Sequence, residues 1–363
     1  MKNLVHGGDI YSAQKEIGKK IYDFSANINP LGVPDGIINA VTKCLKDCSN
    51  YPDPLCRDLI AKLAKAEGIN NEYILCGNGA ADIIFRITLS KKPKKALVTG
   101  PTFAEYEQAL SVVDCKTNHY ILKEEHDFAV QDDILDYMED GIDIMFICNP
   151  NNPTGRLTDK NLMDQILQKS VKNNITLVVD ECFIEFIQKP EELTVKSYLS
   201  KMDNLIILKA FTKNYAMAGF RLGYCLCSNK ETLDKIYEMG QPWSVSIPAQ
   251  VAGLAALDED EYVRDAMEVI SAERRVLVDA LTSVGFKVFK PMANYIFFKI
   301  ADRDGMKRGN IFREKMRSAG FLIRDCSNYV GLTHEFSRIA VRRIDENLAF
   351  IDAMKQVLKE MDG

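Results

Sequence analysis

Residues 205–224 place an amine and a guanidinium shortly after an apolar run. The run at 205–208 is typical of a buried strand, and Thr212, Lys213 and Arg221 follow it. Buried strands of α/β proteins deliver reactive groups at their carboxyl ends. A lysine there suits an amine nucleophile toward a carbonyl, once its surroundings lower its pKa. A solvated surface lysine is the ordinary alternative, so the neighbouring motifs decide between the two.

A second motif suits an anion. A predicted strand at 73–76 leads into Gly79, Ala80 and Ala81 at the start of a helix. Free N–H groups and the positive end of the helix dipole would meet there. A dinucleotide fingerprint would require a third glycine where Asp82 stands, so the short loop favours a single phosphate over a pyrophosphate.

Three further polar or aromatic residues lie near the ends of predicted strands. Phe103 and Asn152 follow two apolar runs, and Asp180 ends a third. With Lys213 and Arg221, they are all predicted to lie just past carboxyl ends of strands. Strands alternating with helices predict a mostly parallel sheet with helices on both faces, so these groups should share one edge. Asp180 could be only a turn residue, but a buried carboxylate needs a cationic partner.

Composition excludes several classes of protein. The chain has 363 residues with 47% hydrophobic and 27% charged residues and a net charge of −5, which is typical of a globular protein with more than one domain. The only basic run, at 91–95, is too short for a nucleic-acid surface. No apolar run has the length of a membrane span. Ten scattered cysteines without zinc spacing favour no metal site and reduced thiols in a cytoplasmic protein.

The pattern of predicted elements divides the chain into three parts. Residues 1–45 form an N-terminal arm and part of a small domain. Residues 46–247 form a large domain, and residues 248–363 form a linking helix and a small C-terminal domain. Within the first part, the phrases at 6–9 and 23–32 are rich in turn formers, which predicts an arm or loop rather than a packed element.

The sequence resembles the fold-type I pyridoxal-phosphate enzymes, the aspartate aminotransferase superfamily, over essentially the whole chain. The resemblance is carried by the phrase Asn-Pro-Asn-Asn-Pro-Thr-Gly at 149–155, by Asp180, by Thr212-Lys213 and by Arg221. It implies an α/β, three-layer PLP-transferase-like fold with a mostly parallel central sheet and a smaller α+β C-terminal domain. It also implies pyridoxal 5'-phosphate as cofactor, a large cofactor-binding domain and a homodimer.

The resemblance implies a role for each residue of the motifs. Lys213 would form the Schiff base with the cofactor aldehyde, and Asp180 would keep the pyridine nitrogen protonated. Asn152 would donate to the phenolic oxygen, and Phe103 would stack on the ring. The cofactor phosphate would be held by Gly79, Ala80, Ala81, Thr212, Arg221 and, from the neighbouring subunit, Tyr51.

Two positions depart from the common pattern of the superfamily. Ala210 stands where a hydroxyl often donates to the phosphate, which puts one phosphate contact in doubt. Phe183 stands where a tyrosine often bonds the phenolic oxygen, which indicates that the cofactor is tuned differently.

Two families within the superfamily handle phosphorylated substrates. One decarboxylates L-threonine-O-3-phosphate in the cobalamin pathway, and the other comprises the histidinol-phosphate aminotransferases. The phrases at 6–8, 23–32, 242–245 and 323–332 resemble the decarboxylases, as do Ile28 and Phe183. We therefore expect decarboxylation, with transamination as the alternative.

The same resemblance implies the substrate contacts. Arg338 would position the carboxylate, Asn152 would also contact the substrate, and Arg324, His6 and Asn29 would anchor its phosphate. A surface ion pair is the ordinary alternative for Arg324. Two other readings are a ligand-responsive domain of a transcription regulator and a nucleotide-binding module. The absence of a basic DNA-binding module disfavours the regulator, and the missing third glycine disfavours the nucleotide module.

Overall fold

The computed structural model describes residues 7–18 and 20–362, which form a seven-stranded sheet, a four-stranded sheet and a two-stranded pair. The strands are β1 Tyr22–Asp23, β2 Ile74–Gly77, β3 Lys95–Gly100, β4 Lys116–Ile121, β5 Ile144–Cys148, β6 Thr176–Asp180, β7 Leu205–Ala210, β8 Gly223–Leu226, β9 Lys287–Val288, β10 Tyr295–Lys299, β11 Phe321–Leu322, β12 Arg324–Asp325 and β13 Phe336–Ala340. The α-helices are α1 Ile10–Ile17, α2 Asp35–Cys44, α3 Arg57–Glu67, α4 Ala80–Lys91, α5 Glu105–Ser111, α6 Ile134–Tyr137, α7 Lys160–Lys172, α8 Phe211–Asn214, α9 Lys230–Glu238, α10 Ile247–Ala256, α11 Asp260–Ser283, α12 Arg308–Ser318 and α13 Ile344–Asp362.

The large sheet brings the ends of distant strands to one edge. Its order is β2-β8-β7-β6-β5-β3-β4. Strands β3 to β7 pair in parallel, whereas β8 is antiparallel to β7 and β2. The mostly parallel sheet is thus confirmed. The position of Arg221 needs correction, because it precedes β8 rather than following a strand's carboxyl end. It reaches the same edge since β8 runs the other way.

The central strands are apolar on both faces because helices cover both. Along β7, Leu205 and Ile207 pack into the cluster supplied by α3, α7 and α10. Ile206 and Leu208 alternate with them and pack into the cluster supplied by α4, α5 and α9. All four side chains are buried. This arrangement gives the three layers expected from the sequence.

The last third of the chain builds a smaller α+β unit, as expected. Its four-stranded sheet is antiparallel in the order β12-β13-β10-β9. One buried cluster joins Ile270 of α11, Phe312 of α12 and Phe350 of α13 to this sheet. Residues 321–325 form two short strands in different sheets, since β11 pairs with β1 and β12 pairs with β13.

The N-terminal region is more packed than its composition predicted. Helix α1 begins where the Asp9 carboxylate accepts from the N–H of Ser12, and it ends at Gly18, which has a left-handed φ of 66°. Strand β1 then pairs in parallel with β11, and Phe24 is fully buried against Phe350. The expectation of an arm or loop was therefore wrong at residues 23–24, and helix α1 was not predicted. The glycines that flank α1 masked its short pattern. The domain boundaries at 46 and 248 stay predictions.

Three observations concern membranes, disulfides and metals. Within residues 7–18 and 20–362, no helix is long and apolar enough to cross a membrane. All ten cysteines are free thiols. The same residues contain no cluster of three or more His, Cys, Asp or Glu side chains suited to a metal ion.

A buried polar network holds the carboxyl end of β7. Lys209 contacts Glu67 at 3.3 Å and Glu185 at 3.0 Å. Glu67 also accepts from Lys196 at 2.8 Å and from the Tyr224 hydroxyl at 2.6 Å. Burial alone would raise the pKa of Glu67, but the Lys209 charge and the two hydrogen bonds outweigh it and lower that pKa to about 2. The network joins α3, β7, β8 and the segment after β6.

We predict that this network makes stability depend on pH below 5. The folded pKa of Glu67 lies below its ordinary value of 4.5, so its contribution is present above 4.5 and is lost as pH falls toward 2. Across that window, the free energy of unfolding of the wild type should fall by about 3 kcal/mol more than that of Glu67→Gln. Urea denaturation at a series of pH values measures both.

Glu314→Gln is the control, because it removes an exposed carboxylate on α12. It should keep the wild-type pH dependence. A Glu67→Gln protein with an unchanged pH slope would contradict the assignment.

Candidate active site

A cavity of about 260 Å³ opens at the shared edge of the large sheet and faces the small domain. Most of the residues singled out in the sequence line it. These are Ala80, Ala81, Phe103, Asn152, Asp180, Thr212, Lys213, Arg221, Arg324 and Arg338. The fold therefore brings together side chains from four strand ends and from the C-terminal unit.

Lys213 lies in the four-residue helix α8, directly after β7. Its carbonyl accepts from the N–H of Asn29 at 3.1 Å, and the Asn29 side chain donates to the carbonyl of Asn214 at 2.7 Å. Burial lowers the pKa of Lys213 to about 8, with the charge of Arg338 as the next cause. A buried amine that loses its proton near neutral pH is a competent nucleophile.

Asp180 ends β6, the strand beside β7, and it is buried. Its carboxylate accepts from the Tyr106 hydroxyl at 2.5 Å and from the N–H of Cys182 at 3.0 Å. Burial raises the pKa of Asp180 above its ordinary value, although both hydrogen bonds oppose the shift. The carboxylate thus calls for a cationic partner in the cavity.

Tyr106 is a site residue that the sequence reasoning missed. It lies on α5, stacks on Phe146 at 5.0 Å and meets the edge of Phe103 at 5.7 Å. Its spacing of three residues from Phe103 was available as a signal, because residues three apart share one side of a helical turn. Its hydroxyl, however, reaches Asp180 only through the pairing of distant strands.

The start of α4 forms a cradle with exposed N–H groups. Gly79 has a left-handed φ of 86°, and no side chain caps the helix. A Cβ at Gly79 would lie 2.8 Å from Nη2 of Arg221, and one at Gly223 would lie 2.6 Å from the N of Ala80. Gly223 is therefore needed for the close approach of the backbone, and Gly79 is needed because of its positive φ. Together with Arg221 and the nearby Thr212 hydroxyl, the cradle suits one phosphate group.

Two buried arginines enter the cavity from the small domain. Arg338 donates to the carbonyl of Ser25 at 2.7 Å and to the side-chain oxygen of Asn152. Its Nε is buried and has no hydrogen-bond partner among the described residues. Arg324 donates to Asn328 at 2.8 Å and lies over the Tyr329 ring at 4.9 Å.

Asn27 is a second residue that the sequence reasoning did not single out. It is buried, lines the cavity, and its Oδ1 has no hydrogen-bond partner within the described part of the chain. The Arg338 Nε and this oxygen are thus a buried donor and a buried acceptor whose hydrogen bonds a ligand in the cavity would complete. Its place in the turn-rich phrase at 23–32 was the only sequence signal.

Tyr51 and Asn29 do not line this cavity, and neither does Gly79, which directly precedes Ala80 at the start of α4. Tyr51 is 77% exposed and stacks on Trp243. The Asn29 side chain is engaged with the main chain at Leu31 and Asn214. His6 lies outside the described residues, although the next residue, Gly7, lines the cavity. Their assigned contacts stay predictions.

Comparisons with known proteins agree with this geometry. The aminotransferase class I and II family model matches residues 19–352. The chain is 32% identical to the threonine-phosphate decarboxylase of Salmonella typhimurium, covering 98% of this chain and 97% of that protein. It is 34% identical to the adenosylcobalamin biosynthesis bifunctional protein CobDQ of Leptospira interrogans, covering 97% of this chain and 41% of that protein. The solved histidinol-phosphate aminotransferase from Clostridium acetobutylicum matches with a TM-score of 0.85 and 29% identity, covering 93% of this chain and 99% of that one.

We predict that Lys213 reacts with small aldehydes with a midpoint near pH 8. Its neutral form increases as pH rises through its pKa of about 8. Labelling by formaldehyde and cyanoborohydride, followed by peptide mapping, measures the rate at this lysine. Arg338→Gln removes a neighbouring positive charge, so the midpoint should move to higher pH.

Exposed Lys235 serves as the internal control, because its partner Glu231 raises its pKa. A Lys213 midpoint that coincides with that of Lys235 would show that burial does not depress the pKa of Lys213.

Proposed function

The chain belongs to the aminotransferase class I and II family, and we propose that it decarboxylates L-threonine-O-3-phosphate to (R)-1-amino-2-propanol phosphate. The observation that carries the proposal is one cavity that joins a buried amine of lowered pKa, a buried carboxyl group and two buried arginines. The choice of reaction follows the full-length similarity to the threonine-phosphate decarboxylase. The similarity to the cobalamin protein favours a role in building the side chain of cobalamin.

The cavity fits pyridoxal 5'-phosphate, which when bound withdraws electrons from the α-carbon of an amino acid. Lys213 would offer the amine that bonds to its aldehyde carbon. Burial raises the pKa of Asp180, and a protonated ring nitrogen would stabilise its carboxylate. The phosphate is assigned to the cradle formed by Gly79, Ala80, Ala81, Thr212 and Arg221. The other assignments are Phe103 to the face of the ring and Asn152 to its phenolic oxygen.

Arg338 orients the substrate carboxylate but binds it only weakly. Its Nη1 and Nη2 each already donate one hydrogen bond, to Asn152 and Ser25, and its buried Nε has no partner among the described residues and is free to donate to the substrate. A carboxylate that is bound too strongly would be stabilised in the ground state, and its loss would be slower. The substrate phosphate therefore supplies much of the anchoring, through Arg324 with His6 and Asn29. Lys213 then delivers a proton to the α-carbon that has lost carbon dioxide.

The active form is proposed to be a homodimer in the cytoplasm. Tyr51 is exposed and does not line its own cavity, which suits a role in a neighbouring subunit. There its hydroxyl would bind the phosphate of the cofactor.

Transamination of histidinol phosphate is the second candidate. It is favoured by the high structural similarity to the aminotransferase of Clostridium acetobutylicum. The two reactions differ in which bond of the α-carbon breaks, and both use the same lysine.

We predict that the purified protein with pyridoxal 5'-phosphate releases carbon dioxide from threonine phosphate. The amine product carries the phosphate, so mass spectrometry identifies it beside a carbon dioxide assay. Lys213→Ala should lower the rate at least a thousandfold, because it removes both the covalent attachment and the proton donor. No carbon dioxide release, together with glutamate-dependent turnover of imidazole acetol phosphate, would assign the chain to the aminotransferases.

We also predict that Arg324→Gln weakens recognition of the substrate phosphate. A hydrogen bond to a charged group contributes about 1.5–3 kcal/mol, so KM for threonine phosphate should rise about tenfold to a hundredfold. Turnover of unphosphorylated threonine, however slow, should not change. Arg317→Gln is the matched control, since that arginine pairs with Glu16 on the surface. An equal loss with both substrates would mean that Arg324 does not bind the phosphate.

A further inference from the structure

The single tryptophan of the sequence, Trp243, stacks on Tyr51. The ring centroids are 4.5 Å apart with 27° between the planes. Trp243 is 47% exposed and Tyr51 is 77% exposed. Neither ring lines the cavity of its own chain. Two large aromatic rings thus stack on each other at the surface. Because both are largely exposed, burial of apolar area does not explain why they are held together.

The backbone at Trp243 is strained. Its φ is 58°, in the left-handed region that bulky side chains rarely adopt. Residues in such conformations persist only where the surrounding structure fixes them, and they cluster at functional sites. In this backbone conformation the indole ring lies against Tyr51. The surrounding structure therefore holds the stack in place, and it is not a chance surface contact.

A side chain of α10 clamps the two loops that carry these rings. The amide nitrogen of Gln250 donates to the carbonyl of Asp53 at 2.9 Å and to the carbonyl of Val245 at 2.9 Å. The Asp53 carboxylate in turn accepts from Leu55 at 3.1 Å and from Arg57 at 2.7 Å. One side chain therefore connects the loops at 50–56 and 240–246.

We propose that Trp243 is a positioning residue that holds Tyr51 ready for the cofactor phosphate of a second copy of this chain. This inference rests on the proposed function, in which Tyr51 reaches a neighbouring subunit. The Tyr51 hydroxyl makes no hydrogen bond to the described residues, and a phosphate oxygen is its natural acceptor. The cradle it would complete is partly open, because Arg221 is exposed. The stack limits the rotamers of Tyr51, so less conformational freedom is lost when the phosphate binds.

Trp243→Gly separates this role from a structural one. Glycine adopts a left-handed φ without strain, so the thermal midpoint of the apoprotein should stay the same or rise. Without the indole ring, the dissociation constant for pyridoxal 5'-phosphate should rise about threefold to tenfold, the range expected for one aromatic pair. Titration of the apoprotein, followed by the absorbance of the bound cofactor, measures it. Trp243→Phe keeps a ring and should restore most of the affinity.

A double-mutant cycle tests whether Trp243 acts through Tyr51. Tyr51→Phe removes the hydroxyl, so adding Trp243→Gly to it should weaken cofactor binding no further. Tyr237→Ala, a half-exposed aromatic residue on α9, is the control and should bind the cofactor as the wild type does. An unchanged affinity in Trp243→Gly, or the same loss with and without the Tyr51 hydroxyl, overturns the role of Trp243 alone. Absence of cofactor binding by the wild type overturns the proposed function as well.

Fluorescence of the single tryptophan gives a reading that does not depend on the cofactor. Quenching by acrylamide should increase in Tyr51→Ala, because the stacked ring no longer covers the indole. It should not change in Tyr237→Ala. Equal quenching in wild type and Tyr51→Ala would mean that the stack is absent in solution, and the proposal would fall.

Discussion

Desolvation of one amine beside a buried positive charge is the constraint on which this structure depends. Lys213 is half-buried and Arg338 is buried in the same cavity, and loss of hydration, followed by the charge of Arg338, lowers the pKa of Lys213. The amine gives up its proton at a lower pH in consequence. Such an arrangement persists only on a rigid support, which β7 provides through its pairing with β6 and β8. The Lys209–Glu67 contact holds the same strand near its carboxyl end.

The choice of reaction depends on how the arginines share their hydrogen bonds. Arg338 donates hydrogen bonds from two nitrogens to Asn152 and Ser25. Arg324 donates to Asn328 and lies over the Tyr329 ring. In the proposed reaction, a weak hold on the carboxylate and a firm hold on a distant phosphate would let binding energy orient the bond that breaks. The cofactor would supply the chemistry, and these local contacts would direct it toward one outcome.

The sequence predicted the parts of the site that depend on local pattern. Lys213 and Asp180 were found because apolar runs precede reactive groups, and the cradle was found because its glycine lies between a strand and a helix. The hydrogen bond of Tyr106 was missed because it joins strands that are distant in sequence. Arg221 was placed correctly at the sheet edge but for the wrong reason, since nothing local reveals that β8 is antiparallel.

The pairing of β1 with β11 also sets an order of events during synthesis. The large sheet uses strands from residues 74–226, so its chain is complete well before the C-terminal unit emerges from the ribosome. Tyr22 can pair with Phe321 only after a further 299 residues (321 − 22) have been synthesised. At roughly 5–20 residues per second, that delay is about 15–60 s. Throughout it, the ring of Tyr22 lacks the Phe321 ring on which it stacks in the folded protein.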